Sequence, residues 1–214
     1  MMNDFWTNIL HLKYTSADFY DGNSIKPILI KESGSYKLCE DIIFGRTGSG
    51  VPLAFDEDLF DPDFTQFDSH KYGLGFFAAI SIQTNDVTLY LNGHTIEQSP
   101  EHALMQRFFS IIELADSPFI KSVGPAQFVG GDALVPARNV QILGPGTLGR
   151  SSHHGIHGND NRNVKISQVT FREFEVAAVS LNNADNVEIS DCDIQQNRQD
   201  VPIVGMFSAA RFLR

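Results

Sequence analysis

The sequence predicts an all-β solenoid of short coils stacked in parallel, and three observations point there. The C-terminal half repeats: "NVQILGPGTL" starts at Asn139, "NVKISQVTF" at Asn163 and "NVEISDCDI" at Asn186, in steps of 24 and 23 residues. Each repeat alternates apolar and polar positions, the strand signature, because successive side chains point to opposite faces. Nothing between the repeats is long and helical enough to carry a crossover, which argues against a sheet built from βαβ units.

Taken in order, residues 1–32 read as an N-terminal extension or cap and 33–214 as the repeat domain. "NDVTLYLNGHTI" (85–96) is a looser, earlier copy of the repeat. Ahead of each Asn lies a second short alternating run: "AAISI" (78–82), "GIHG" (155–158), "AAVSL" (177–181) and "PIVGM" (202–206). The last two repeats match position by position, with Val164, Ile166, Val169 and Phe171 over Val187, Ile189, Cys192 and Ile194. Val140 and Ile142 extend the first two columns inward, and Lys165 and Glu188, between them, should face outward as a cross-strand ion pair. Asn139, Asn163 and Asn186 should stack and hydrogen-bond along the column, as Asn ladders do. Asn also tolerates the left-handed backbone of a tight corner. Residues 51–73 and 100–137 are too long for corners and are predicted to protrude as two loops.

The segments "YLNGHTI" and "ILGPGTLG" and the N-V-x-I coils resemble the right-handed parallel β-helix of the pectin-lyase-like superfamily. "SGSYKLCEDIIF" (33–44) is similar to the leading segment of many such helices. The resemblance covers about residues 33–207 and implies the fold. It leaves function open, because the superfamily includes lyases, hydrolases, epimerases, phage and viral appendages and adhesins.

"SSHHGIHGND" (151–160) holds three of the seven histidines within five positions. On a strand, His153 and His157 would stand roughly 13 Å apart, too far to share a zinc ion. Gly155 and Gly158 disfavour a helix that would bring them together. The run resembles the His-Gly-[Ile/Leu]-Ser strand of polygalacturonases, which implies a supporting role for His154 in hydrolysis. "GPGTLG" departs from that family where Gly149 stands in place of its Asp, and the family's paired carboxylates are missing. Glycoside hydrolysis needs two flanking carboxyl groups, so whether the chain is an enzyme stays open.

The candidate catalytic residues are therefore His154, His157 and Asp160 on an exposed outer face, His157 pointing outward beside Ser180. Ser180 and Arg162 are the candidate substrate contacts. In the acidic run "DEDLFDPDF", Asp56, Asp58, Asp61 and Asp63 are hard oxygen ligands that would suit Ca²⁺. The EF-hand spacing is absent, so a solvated loop is the simpler reading and no other cofactor is expected.

The net charge of −10 excludes a nucleic-acid binder of the usual kind, which needs clustered Lys and Arg. No apolar run is long enough to span a membrane, and "MMNDFWTNIL" does not read as a secretory signal, so the compartment stays open. The end, "FSAARFLR", offers no polar cap, so truncation, a terminal helix, a further domain or an oligomeric partner is expected there. Two functions follow: binding or processing of a polysaccharide on the outer strand face, or a non-catalytic structural module of a virion appendage or surface repeat protein.

Overall fold

A computed structural model describes residues 9–12, 28–44, 77–100, 103, 109–115 and 135–195. The first strands are β1 (Ile9–Leu12), β2 (Ile28–Ile30), β3 (Gly34–Leu38), β4 (Ile42–Phe44), β5 (Phe77–Ile82), β6 (Val87–Tyr90) and β7 (Thr95–Gln98). They are followed by β8 (Phe109–Glu113), β9 (Arg138–Leu148), β10 (His154–Asn159), β11 (Arg162–Arg172), β12 (Ala177–Asn182), β13 (Asp185–Ser190) and β14 (Asp193–Gln195). The architecture is all-β, as predicted, and every strand–strand pairing among the described residues is parallel.

The strands fall into two sheets. One runs β1-β3-β6-β9-β11-β13, with β4, β7 and β14 joined along the far ends of the long strands β9 and β11. The other runs β12-β10-β8-β5-β2. Strands of the two sheets alternate along the chain, so each 23–24-residue repeat contributes to both. Both sheets also reach into residues 1–32, through β1 and β2.

The predicted register holds. Val164 pairs with Val140 and Val187, and Ile166 with Ile142 and Ile189. Val140, Ile142, Val164, Ile166, Val169 and Phe171 are at most 1% exposed. They join Ile80, Ile112 and Ile156 of the other sheet in one apolar core, and Phe44 meets Phe109 across it at 5.2 Å between ring centroids. A one-residue slip would turn this whole set outward.

The corners explain the asparagines. Asp86, Asn139, Asn163 and Asn186 have φ of 59°, 55°, 56° and 55°, the left-handed region that Asn and Asp enter at least cost among non-glycine residues. Asn186 Nδ2 donates to Asn163 Oδ1 at 2.8 Å, Asn163 to Asn139 at 2.7 Å, and Asn139 to Asp86 Oδ1 at 2.8 Å. The predicted ladder exists, and it begins one strand earlier than expected, on a carboxylate. A second ladder runs from Asn183 Nδ2 to Asp160 Oδ1. On the outer face Lys165 Nζ meets Glu188 Oε1 at 2.8 Å.

One prediction needs correction. Residues 100–137 are not wholly a protruding loop, because Phe109–Glu113 form β8, an inner strand between β5 and β10. All five of its residues are buried, so the alternation that marks a half-exposed strand is missing from "FSIIE". The stretch 51–73 lies outside the described residues.

Candidate functional site

The site begins with a local irregularity shared by four neighbouring strands. In β5, β8, β10 and β12 the tetrads "AAIS" (78–81), "SIIE" (110–113), "HGIH" (154–157) and "AAVS" (177–180) pair through their first, third and fourth residues. The second residue is skipped each time, and it faces inward together with the third. Ala79, Ile111 and Ala178 are buried among core side chains. At Gly155 a Cβ would lie 2.5 Å from the Ala178 carbonyl oxygen and 2.9 Å from Phe171, so only glycine fits there. Two consecutive inward residues bring the first and fourth onto the same outer side, as a bulge does when it re-aims a side chain.

His154 and His157 therefore share a face, with ring centroids 5.0 Å apart, and His153 stacks obliquely on His154 at 5.8 Å. In the preceding strand Ser110 and Glu113 stand in the same relation, and Ser110 Oγ donates to Glu113 Oε2 at 3.0 Å. Glu113 is the register partner of His157. Its two carboxylate oxygens accept from His157 Nδ1 at 3.0 and 2.9 Å. On the other side of His157, the register partner is Ser180. The outer column thus reads Leu29, Ser81, Glu113, His157, Ser180 across five strands.

Exposure in this column corrects the expectation that His154 and His157 border an open face. They are 7% and 4% exposed, and Ser81 and Glu113 are fully buried. The physical reason is cover over outward-facing positions. The long insertion leaves the sheet directly after β8, Ala115 bridges back to Pro136, and Ser81 Oγ donates to the Ala115 carbonyl at 2.9 Å. Asn161, itself fully buried, donates to the Leu114 and Ala137 carbonyls at 2.8 and 2.9 Å and closes the same end. Ser180, one strand further, is half-exposed.

Burial also sets protonation. It pushes the pKa of His154 down from 6.5 to about 3, and repulsion from His157 and then His153 pushes in the same direction. His154 is consequently a neutral imidazole at pH 7. His157, with a carboxylate fixing Nδ1–H, presents Nε2 as its basic nitrogen, the arrangement that orients an imidazole for proton transfer.

The other candidates are occupied with architecture. Asp160 accepts from Asn183 in the corner ladder. Arg162 donates to the Asn183 carbonyl at 2.8 Å and the Asn161 carbonyl at 3.3 Å, and lies 3.9 Å from Asp185, so it staples two repeats together. Asp56, Asp58, Asp61 and Asp63 lie outside the described residues. Among the described residues no group of three or more His, Cys, Asp or Glu side chains is arranged to hold a metal.

Sequence reasoning passed over Glu113 and Ser110. Aligning "SIIE" under "AAIS" and over "HGIH" is the signal that finds them. Comparison with family models, with curated proteins and with solved structures returns no match for this chain, so the site must be read from its own chemistry.

Proposed function

We propose that the chain is a right-handed parallel β-helix of the pectin-lyase-like kind that binds or processes a polysaccharide on the outer face of the β8–β10–β12 sheet. The helix reading is supported by the alternation of strands between two parallel sheets and by the in-register Asn and aliphatic columns. The functional reading rests on one observation: a buried carboxylate–imidazole pair, Glu113–His157, lies next to half-exposed Ser180 on the side of the sheet away from the core. Buried ionisable pairs are costly to desolvate and gather where proton chemistry is done. Because His154 and His157 are covered, the sugar contacts fall toward β12, around Ser180 and the exposed Asn182, rather than over the histidines themselves. Ca²⁺ enters this reading only through the acidic run at Asp56, Asp58, Asp61 and Asp63, as a bridge to an acidic glycan.

The test is retention of the purified protein on a panel of immobilised neutral and acidic polysaccharides, with Ca²⁺ and with chelator. Retention that weakens at least several-fold on Ser180→Trp, at unchanged melting temperature, is expected. Failure to bind any member of the panel in either condition removes the reading. The structural-module reading is favoured by a different observation, the exposed apolar residues Val187, Ile189 and Ile194 on β13 and β14. A stacked partner would bury these.

A further inference from the structure

Three neighbouring strands carry an acid, an imidazole and a hydroxyl at one register position, in the order Glu113, His157, Ser180. Their exposure rises along the same line: Glu113 is fully buried, His157 is 4% exposed and Ser180 is half-exposed. A nucleophilic hydroxyl needs this gradient, because the acid works best away from water and the nucleophile must meet a substrate. Glu113 holds Nδ1 of His157 with both carboxylate oxygens, so the far nitrogen, Nε2, is the one able to take a proton. Adjacent parallel strands lie roughly 4.8 Å apart, a gap that an imidazole ring can span to reach the next strand's side chain.

We propose that Ser180, His157 and Glu113 form a serine-type acyl-hydrolase triad whose substrate class is a carboxylic ester, such as an O-acyl group carried by the polysaccharide inferred above. The ester assignment rests on that glycan reading; the triad does not. Acyl transfer suits the site better than cleavage of a glycosidic bond. Glycosidases need two carboxyl groups flanking the bond, whereas the only carboxylate bonded into this column among the described residues is Glu113, already held by His157 and Ser110.

The chemistry balances with water as the sole co-reactant. Ser180 Oγ attacks the carbonyl carbon, and its proton moves to His157 Nε2. The C–O bond to the sugar breaks, and the departing alkoxide takes that proton, leaving an acyl-serine. Water then attacks the same carbon and gives a proton to Nε2. The Oγ–C bond breaks, the acid leaves, and Nε2 returns the proton to Oγ. Glu113 touches no reacting atom and is a positioning residue.

The test uses the full chain, a fluorophosphonate probe with peptide mapping, p-nitrophenyl acetate, and a chemically O-acetylated polysaccharide. The expected result is a single adduct on Ser180 and release of acetate. Both should be abolished in Ser180→Ala, with activity reduced at least about 100-fold in His157→Gln. Glu113→Gln should lower kcat with little change in KM, a split that a purely structural defect would not produce. Ser180→Ala should keep the wild-type melting curve, so loss of activity there cannot be laid to misfolding. Absence of an adduct on Ser180, or wild-type hydrolysis by Ser180→Ala, overturns the triad. Retention on polysaccharide without labelling or acetate release removes the triad and leaves the glycan reading standing. Labelling and p-nitrophenyl acetate hydrolysis without polysaccharide binding do the reverse.

Discussion

Strands β11 and β13 carry nearly the same sequence pattern, "NVKIS" and "NVEIS", and pair residue for residue. Yet Val164 and Ile166 are 1% and 0% exposed, while Val187 and Ile189 are 41% and 47% exposed. Phe171 and Ile194 repeat the contrast at 0% and 51%. The difference lies in the neighbours. β11 is paired on both sides, by β9 and by β13 with β14, whereas β13 is paired by β11 alone. In a stacked architecture the alternating pattern selects which face a residue takes, and the adjoining repeats decide whether that face is dry.

The largest expected effect breaks the interior member of the pair. Ile166→Ala should cost about 2–5 kcal/mol in a denaturant titration, because it opens a cavity between two packed neighbours. A cost near zero would mean that the column is not the core.

Acid is the next lever, and it acts on the same contrast. His154 occupies the register position that Ala78 and Ala177 hold in other strands, and it is buried where Ala177 is half-exposed. Its folded pKa, about 3, lies below the value of 6.5 expected in the unfolded chain. Between these values the unfolded chain binds the extra proton. Stability is therefore full above the upper value and falls as pH drops through the window, by about 1.4 kcal/mol per pH unit. His154→Ala should remove that slope, as measured by unfolding titrations at several pH values. A slope of equal steepness in the variant would show that other groups carry it.

Ile189→Ala sharpens the comparison from the exposed side. Half its surface is already in water, so the expected loss is about 1 kcal/mol, well below that of Ile166→Ala. Equal losses at the two positions would mean that something covers β13 in solution.

Smallest of all is the Lys165–Glu188 pair. The hydrogen bond from Lys165, followed by its charge, lowers the Glu188 pKa. What the pair contributes is present at neutral pH and fades as acid protonates the carboxylate. Because both groups face solvent, a double-mutant cycle should give a small coupling that salt erases. A large loss from either single change would mean a buried charge and a shifted register.

The parts of the fold that could be read in advance were those with regular spacing. Asn139, Asn163 and Asn186 announced their stacking because each sits at a left-handed corner and heads an alternating strand. Strand β8 was hidden by its burial on both faces, since Ser110 and Glu113 occupy outward positions that are nonetheless dry. The same cover misled the reading of the site. Strict alternation turns His157 outward, which is its direction, and then equates outward with exposed, which fails beneath the Ala115–Pro136 neck. Alternation also misses that His154 shares the face of His157, because the doubled inward step at Gly155 leaves no mark in hydropathy. Ser180 was legible only as a strand position, since a serine shows its partner through three-dimensional register alone.

The Asn ladder has a direction, and Asp86 is what gives it one. A carboxylate accepts and cannot donate, so Asn139 must turn its nitrogen toward Asp86 and its oxygen the other way. Asn163 then has to present a nitrogen to that oxygen, and Asn186 follows suit. One ionised side chain thus orients three amides on three successive strands, like a row of switches thrown by the first. Replacing it with Asn would keep every bond possible but let the row flip either way. The far end inherits the consequence. The outermost amide offers oxygen rather than nitrogen beyond β13, so a strand that aligns there must bring a donor to this corner.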